Sequence, residues 1–520
     1  MASTDVSRLP ASLRELLEPA TDRLWPRWIV LRALGLIFFS AFYSLAFQVR
    51  GLIGSSGILP VGDYLASVRT ALPPIAQLWY APTLFWLNAS DAALLTVVWA
   101  GLISSLLLTF NVAPKVNAAL CTLFFLSFIA VLQDFSSYQS DGMLLEAGFI
   151  SIFFAPRGVR PGIGAFDPPT RIVSFMLRWE WFRIYFESGL VKILSGDRHW
   201  RDFTAMDDYY QNGPLPAWPG WYVQHFPHWY HATTVGITFA IELFIVWAMF
   251  LPRKARIACF VAVTALQAGI IATANYAFLN YLVLVLGFLL LDDRAIAWAL
   301  RRVRLHRIGE QVEARAANVV VPRRSETRLA VDGVMMSWIF YATIWAFLAG
   351  GSRNPLALPE RALEPFRIAN AYGLFATMTE ARYEIEFQGT TDNGATWTPY
   401  AFRYKPQNVN ERPGIYAPYQ PRFEWNLWFA SLAPWQSSPW VIEAQRRLLE
   451  RSPGVLALFR GDPFNGKPPQ AVRAVLWQYW FTSRAEKRAS GAWWRRQLLG
   501  VFGGSVSRDA TGQVVFQRQQ

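Results

Sequence analysis

Charged side chains are scarce in this chain of 520 residues: they make up 16%, whereas an ordinary soluble domain has roughly 25%. Cysteine is scarcer still. Cys121 and Cys259 both lie inside apolar segments, so no disulfide framework can be read from them. The sequence has no nucleophile elbow, phosphate-binding loop, dinucleotide-binding glycine fingerprint or HExxH motif. We therefore predict no cofactor and no metal site, and the residues alone give no case for a named reaction.

Apolar and aromatic residues are abundant instead. Hydrophobic residues make up 53% of the chain, and 24 residues are tryptophan, which collects at membrane interfaces. The net charge of +13 does not indicate a nucleic-acid partner, because the basic residues cluster in short loops between apolar segments. That distribution is typical of the cytoplasmic loops of membrane proteins. The composition predicts an α-helical polytopic membrane protein in contact with membrane lipid.

Nine apolar segments predict membrane-spanning helices. If the N-terminus is cytoplasmic, the loops on that side hold 20 Lys and Arg residues and the opposite loops hold 4. This asymmetry supports an odd number of crossings and places residues 195–229 and everything after residue 350 on the non-cytoplasmic side. The fourth segment is near the lower length limit, which suits a tilted or re-entrant helix. The predicted spans are 28–49, 92–111, 116–133, 142–155, 172–194, 230–251, 257–273, 277–291 and 330–349.

The composition changes after residue 350, and this divides the chain into three regions. We predict a cytoplasmic N-terminal segment at 1–27, a multi-span transmembrane domain at 28–350 and a non-cytoplasmic α+β domain at 351–520. In the last region, the run TTDNG around Asn393-Gly394 predicts a β-hairpin. The elements predicted there are strands at 382–388 and 396–404, helices at 438–452 and 468–486, and strands within 500–516 that turn at Thr511-Gly512.

The fifth predicted span carries many charged residues for a membrane helix. Such groups are costly in hydrocarbon, so they face a protein interior or a wet cavity and are paired. Glu180, Arg183 and Glu187 recur at i, i+3 and i+7, which places them on one helix face. Two interpretations stay open: a polar, proton-handling pocket, or ion pairs such as Arg183 with Glu187 that only fix helix packing. The charged residues are Arg178, Glu180, Arg183, Glu187 and Lys192.

A second acidic group lies near the predicted outer face. The predicted topology brings it towards basic residues on the same side, which would form one polar site at the outer membrane face. The alternative is a set of solvated loop acids with one structural glutamate. The acidic residues are Asp134, Asp141 and Glu146, and the basic residues are Lys192, Arg198 and Arg201.

Three histidines, His225, His228 and His231, have a spacing that would aim two of them at a metal on a helix. The run also contains Pro227 and several aromatic residues at a membrane entry. These neighbours favour an interface belt over a metal site.

Three blocks of sequence carry a family resemblance. In the first, the charged helix is followed by SG-x-VK, ending at Lys192, and by SGD-x-x-WRD-x-TA-x-D, ending at Asp207. The second block is 365–406, and the third is PRFEWNLWFASL at 421–432. Together they resemble the lipase maturation factor family, in the family's order and over most of residues 30–500. The matching residues include Asp197, Trp200, Arg201, Asp202, Asp207, Tyr372, Arg382, Glu384, Arg422, Trp425 and Trp428.

The resemblance implies a membrane chaperone that helps a secreted client, in vertebrates a dimeric lipase, to fold and assemble. It implies that the C-terminal region engages the client on the lumenal side, which is the side that the basic residues predict. The membrane would be that of the endoplasmic reticulum in eukaryotic relatives, or the inner membrane if the source is bacterial. The residues expected to contact the client are Tyr372, Arg382, Glu384, Arg422, Trp425 and Trp428, and those expected in a polar cluster are Arg178, Arg183, Asp141, Asp197, Trp200, Arg201, Asp202 and Asp207.

The helical core also distantly resembles the transmembrane domain of vitamin K-dependent γ-carboxylases. In that family a pair of lysines follows a similar aromatic helix, and one of them is the catalytic base. Here the pair reads Lys192-Ile193, so a single lysine is present. The alternative function is thus a membrane enzyme acting on a lipid-soluble substrate, and its catalytic residues would be Lys192, Glu187, Glu180, Asp134 and Glu146.

Overall fold

The computed structural model of the chain describes residues 11–136, 138–317, 319, 324–349, 354–509 and 511–518. The part before residue 350 is built from helices, as its long apolar runs predict. These helices are α1 (Ala11–Leu17), α2 (Leu24–Ile53), α3 (Val61–Ala71), α4 (Pro74–Tyr80), α5 (Asp91–Thr109), α6 (Pro114–Ile129), α7 (Gln139–Phe154), α8 (Arg171–Leu194), α9 (Arg198–Arg201), α10 (Tyr209–Asn212), α11 (Trp218–Gln224), α12 (His228–Phe239), α13 (Arg253–Thr273), α14 (Leu279–Gly287), α15 (Asp293–Arg302), α16 (His306–Ala317) and α17 (Glu326–Ala349).

Every predicted span coincides with a helical segment, and five of the described segments are long and apolar enough to cross a membrane. They are α2, α5, the segment at 228–250, α13 and α17. By the same measure α6, α7 and α14 are too short, and α8 is long enough but too charged. The protein is therefore a membrane protein, and the crossing of these four helices stays a prediction.

α2 is the central helix of the membrane part, and it packs against α5, α6, α7 and α14. Two glycines let α2 and α5 approach closely. A Cβ on Gly35 would lie 2.4 Å from Oγ1 of Thr109, and one on Gly101 would lie 2.5 Å from the ring of Phe42. Small residues at such contacts are typical of helices packed in a membrane, where dispersion contacts replace the hydrophobic effect.

The segment at 228–250 changes its helical geometry along its length. It is α-helical to Phe239, continues as a π-helix at Ala240–Phe244, and ends as a 3₁₀-helix at Ile245–Phe250. A π-turn inside a helix re-aims the side chains that follow it and is frequent at functional sites. Glu242, the one acidic residue of this segment, lies within the π-turn.

The C-terminal part contains an antiparallel sheet of five strands in the order β2-β1-β3-β4-β5. Helices cover the sheet, and α20 packs on β3 and β4. The strands are β1 (Arg382–Thr390), β2 (Thr398–Pro399), β3 (Ala471–Phe481), β4 (Trp494–Arg508) and β5 (Val514–Arg518), and the helices are α18 (Leu358–Arg361), α19 (Arg422–Ser431), α20 (Trp440–Leu449), α21 (Pro453–Leu456) and α22 (Arg484–Ser490).

The predicted hairpin forms, with Asn393 at φ +56° and Gly394 at φ +89° in its turn. Its second strand is shorter than predicted, because only Thr398 and Pro399 pair with β1. The helix at 438–452 and the final pair of strands are confirmed by α20, β4 and β5. The predicted helix at 468–486 is wrong, because most of it is β3, the central strand. Apolar residues such as Leu476 and Trp480 also occupy its partly exposed positions, and the register shifts near Val475 and Trp477, so the sequence lacks the strict alternation of a half-exposed strand.

Candidate functional site

The C-terminal part docks onto the membrane helices through a buried polar surface, which we call the junction. It is formed by α7, α8 and residues 195–217 on the membrane side and by residues 367–382 and α19 on the other side. Among the charged residues of α8, Arg183 and Glu187 lie at this surface and Glu180 and Lys192 lie beside it, whereas Arg178 lies near the other end of the helix. The junction is therefore the candidate functional site.

Glu146 of α7 is the centre of the junction and is fully buried. It forms an ion pair with Arg183 of α8 and accepts a hydrogen bond of 2.9 Å from the Tyr372 hydroxyl. It also accepts bonds from the backbone and side-chain nitrogens of Asn370, at 3.2 and 3.1 Å. Arg183 completes the set by donating to the Asn370 carbonyl at 2.5 Å. One acid–base pair thus binds both the backbone and the side chains of the docked segment.

Glu187 extends this contact one turn further along α8. Its carboxylate accepts a hydrogen bond of 2.7 Å from the Tyr372 backbone nitrogen, and the Ser188 hydroxyl accepts one of 3.2 Å from Leu374 N. The expected pair between Arg183 and Glu187 does not occur among the described contacts, because Arg183 is engaged by Glu146. Glu180, on the same face, is buried and forms no ion pair with a described residue.

A second buried pair joins α7 to α19. Arg422 binds Asp141 through both carboxylate oxygens, at 2.7 and 2.8 Å, and also donates to the Phe135 carbonyl at 2.9 Å. Both charged side chains are buried. A bidentate arginine–carboxylate pair fixes direction as well as distance. This pair therefore orients α19 on the end of α7.

The loop after α8 binds the docked segment through its backbone. Asp197 accepts hydrogen bonds of 2.7 Å from the backbone nitrogens of Met378 and His199, and Trp200 donates to the Phe375 carbonyl at 2.9 Å. Burial opposes ionisation of Asp197, but these donors outweigh it and hold the pKa of the carboxyl below its usual value. The aspartate thus acts as a charged anchor for the docked segment.

Arg382, the first residue of β1, holds the same loop from the C-terminal side. Its fully buried guanidinium donates to the carbonyls of Gln211, Gly213 and Pro214. It is paired with Glu384, which is 2.5 Å from Lys405. Three backbone acceptors and one carboxylate match the fixed donors of a guanidinium.

Lys192 lies apart from the junction network and has a partner of its own. Its ammonium is 2.8 Å from Glu242 and 5.2 Å from the centre of the Trp200 ring, and it is only 2% exposed. The sequence-based expectation that Asp141, Glu146 and Lys192 form one polar site is therefore wrong in its pairing. Each of the three has a different counter-charge.

The structure separates the predicted residues into two sets. The buried residues lie at the junction or near the pair of Lys192 and Glu242. They include all six residues predicted to contact a client. The role of those six residues in client binding stays a prediction. Arg178 lies near the other end of α8 and bonds the Ser174 carbonyl. The buried set is Asp141, Glu146, Glu180, Arg183, Glu187, Lys192, Trp200, Tyr372, Arg382, Glu384, Arg422, Trp425 and Trp428, and Asp134, Arg201 and Asp202 are exposed.

The histidine run does not converge on one point. His228 bonds Asp207 at 3.0 Å, His225 bonds the Trp221 carbonyl at 2.6 Å, and His231 packs on the ring of Tyr210. Among the described residues, no group of three or more His, Cys, Asp and Glu side chains is placed to hold a metal ion.

Sequence reasoning missed two important residues. Glu242 lies inside the predicted span 230–251, and an intramembrane charge implies a partner, but the sequence alone does not identify that partner as Lys192. Asn370 lies in the second block of the family resemblance, 365–406, but only the fold shows that it bonds Glu146 and Arg183. The first could have been found by matching isolated charges between spans.

Comparison with known proteins places both parts of the chain in one family. Residues 25–298 match the family model of the lipase maturation factor transmembrane domain, and residues 368–503 match that of the lipase maturation factor C-terminal domain. The chain is 31% identical to lipase maturation factor 1 of cattle, over 97% of this chain and 92% of the relative. It is also 31% identical to human lipase maturation factor 1, over 93% and 88%, and 30% identical to lipase maturation factor 2 of chicken, over 93% and 81%. No solved structure matches the chain significantly.

Proposed function

The chain belongs to the lipase maturation factor family, and we propose that it is a membrane protein that assists the folding or assembly of a secreted lipase. The proposal is supported by the similarity to proteins named lipase maturation factor, and this similarity extends over both parts of the chain. In a eukaryotic cell the membrane would be that of the endoplasmic reticulum, where secreted clients fold.

The proposed topology has nine crossings, with the C-terminal part on the non-cytoplasmic side. Contacts between predicted loops support it. The segments predicted as cytoplasmic meet one another: Arg171 N bonds the Glu18 carbonyl at 2.9 Å, and Arg328 pairs with Asp167 at 2.9 Å. The segments predicted as outer also meet, since Asp141 and Asp197 both bind the C-terminal part. Hydrogen-bonded loops lie on the same side of a membrane, as the predicted parity requires.

The observation that favours this function over the enzyme alternative is the pairing of the charged side chains. Glu146, Glu187 and Asp141 bind the C-terminal part, and Lys192 is neutralised by Glu242. A general base must lie within hydrogen-bond reach of its substrate, and Glu146, Glu187 and Asp141 are buried beneath the C-terminal part. Buried, paired charges are better suited to a rigid scaffold than to a catalytic site. In such a scaffold the membrane helices hold the C-terminal part against the outer face, where a client passes.

A secretion assay tests this proposal against the enzyme alternative. A lipase is co-expressed with the full chain or with Lys192→Met, and both secreted lipase activity and the amount of membrane protein are measured. We expect Lys192→Met to lower the amount of membrane protein while activity per molecule is kept. Normal amounts of an inactive protein would support the enzyme instead.

Client contact is tested separately by mild crosslinking and co-purification. The full chain should capture the lipase, whereas removal of residues 355–520 should abolish capture and secreted activity. Membrane insertion of the shortened chain is checked by protease protection. Unchanged capture and secretion after the truncation would overturn the proposal.

A further inference from the structure

A cavity of about 410 Å³ lies inside the membrane part and borders the junction, which contributes Ser188, Trp200, Leu374 and Phe375 to its wall. It is enclosed mainly by α8, α12, α13 and α14, and its walls are largely apolar. Ile184, Ile241, Leu266 and Val283 are among the side chains that form them. A largely apolar cavity of this size is suited to a small ligand, since ligand pockets have volumes of about 300–1,000 Å³.

The cavity opens between α12 and α13. Ile237 on α12 and Gly269 on α13 line the cavity and are also exposed on the outer surface, Ile237 by 50%. These two helices are not closely packed against each other there. The segment at 228–250, which begins with α12, and α13 are both long and apolar enough to span the membrane. Only 28% and 17% of the residues in their most apolar stretches are buried. The exposed sides of such helices face acyl chains, so the opening faces lipid and not water.

The first polar feature of the cavity is the pair of Lys192 and Glu242. Gly189 makes the pair possible, because a Cβ there would lie 2.8 Å from the Cβ of Glu242. The absent side chain lets α8 touch the π-turn, and Lys192 lies one turn further along the same helix. The pair has no net charge. An additional charged group beside it would be buried without a counter-ion, which is strongly unfavourable.

The second polar feature is a short chain of amides. Asn280 donates to the Gln267 side-chain oxygen at 2.7 Å, and Gln267 donates to the Tyr185 hydroxyl at 2.8 Å. All three residues line the cavity. Each side-chain amide nitrogen carries two hydrogens. Each therefore keeps one N–H for a ligand, and among the described contacts the Asn280 oxygen accepts no hydrogen bond.

We propose that this cavity binds a single-chain neutral lipid of the monoacylglycerol class. The acyl chain enters between α12 and α13, and the hydroxyl and ester groups bind Gln267, Asn280 and Tyr185. The volume lies near the lower end of the range for ligand sites, which suits one acyl chain and a small head group better than a two-chain phospholipid. The neutral ion pair selects against a fatty-acid carboxylate. This binding does not depend on the lipase client.

The test uses the purified full chain and a photoactivatable monoacylglycerol that carries a diazirine on its acyl chain. Crosslinked peptides are mapped by mass spectrometry, with unlabelled lipids as competitors. We expect labelling of α12 and α13, competition by monoacylglycerol, and at least tenfold weaker competition by a fatty acid or by phosphatidylcholine. Equal competition by the fatty acid or by phosphatidylcholine would overturn the assignment of the head group or of the single chain.

A matched pair of variants locates the site. A Cβ on Gly269 meets no atom within 4 Å, so Gly269→Trp fills the opening without a backbone clash. Gly62 on α3 is equally open and lies outside the cavity, so Gly62→Trp is the control. We expect Gly269→Trp to reduce specific labelling at least tenfold and Gly62→Trp to leave it unchanged. Ile237→Trp, on the facing helix, serves if the first variant does not fold. The proposal would be overturned if Gly269→Trp or Ile237→Trp folds normally and is labelled as strongly as the unmodified chain.

Discussion

The junction and the cavity both bury charged side chains of α8, but they neutralise them differently. At the junction, Glu187 is satisfied by a backbone donor from the C-terminal part, and Glu146 by a mixture of charged and neutral donors. In the cavity, Lys192 is satisfied by one carboxylate from a neighbouring membrane helix. One helix therefore presents a docking surface and a wall of an internal cavity. A charge in a membrane helix identifies a buried contact, and the partner decides its role.

This comparison predicts that the two regions can be damaged separately. Variants at the junction should make residues 367–380 sensitive to protease and have a smaller effect on lipid labelling, because only Leu374 and Phe375 of this segment line the cavity. Variants in the cavity should do the reverse. The following changes are ordered from the largest expected effect to the smallest.

Breaking the pair of Asp141 and Arg422 should have the largest effect. Arg422→Met leaves a buried carboxylate without its partner, which costs about 3–5 kcal/mol. Thermal unfolding of the detergent-solubilised chain, followed by fluorescence-detected size exclusion, measures the loss. The double variant Asp141→Leu/Arg422→Met should recover much of it, because no lone charge remains buried.

The control for this change is Arg201→Met, which removes an exposed pair with Asp202. Exposed pairs contribute only about 0–1 kcal/mol. If Arg422→Met is no more harmful than this control, the buried pair does not hold the junction.

A pH effect is expected from Glu424 of α19, outside the predicted spans. Burial raises the pKa of its carboxyl from 4.5 to about 7, although three backbone nitrogens at Arg403, Tyr404 and Lys405 donate to it. The folded state then binds the proton more tightly than the unfolded state. Stability should therefore fall as the pH rises from about 4.5 to about 7, by on the order of 3 kcal/mol, and level off above.

The melting temperature of the full chain between pH 5 and pH 8 measures this effect. The amide in Glu424→Gln cannot titrate, so the melting temperature of this variant should fall less steeply with rising pH than that of the unmodified chain. Parallel slopes for the two proteins would show that Glu424 keeps an ordinary pKa in the folded chain.

Tyr372→Phe removes the hydroxyl that donates to Glu146 at 2.9 Å. A hydrogen bond to a buried charged group contributes about 1.5–3 kcal/mol. Limited proteolysis of residues 367–380 should accelerate accordingly, while monoacylglycerol labelling stays normal. Tyr222→Phe, at an exposed position, is the matched control and should leave both measurements unchanged.

Gly189→Ala tests the cavity side of the comparison. Its new methyl group would meet Glu242 Cβ at 2.8 Å, so α8 and the π-turn must separate. Overpacking of this kind costs about 1–3 kcal/mol, and the displaced pair should weaken lipid labelling. Gly269→Ala adds the same methyl group in open space and should leave the stability unchanged or slightly higher. Equal behaviour of the two variants would contradict the close contact at Gly189.

Much of the fold was predictable, because long apolar helices and turn residues are local signals. The predicted spans all coincide with helical segments, and the hairpin at Asn393-Gly394 forms in the expected place. The strand β3 was not predicted, because it lies in the centre of the sheet. Apolar residues also occupy its partly exposed positions, such as Leu476 and Trp480, and the alternation that identifies a half-exposed strand is lost.

The sequence by itself determined that the protein is a membrane protein of the lipase maturation factor family and that α8 carries costly buried charges. Only the tertiary structure decided the partners of those charges: Arg183 with Glu146, Arg422 with Asp141, and Lys192 with Glu242. The physical reason is that hydropathy and turn chemistry act over a few residues. The Coulomb attraction in a buried pair acts across tens to hundreds of residues of sequence, and it is realised only when packing brings two helices together.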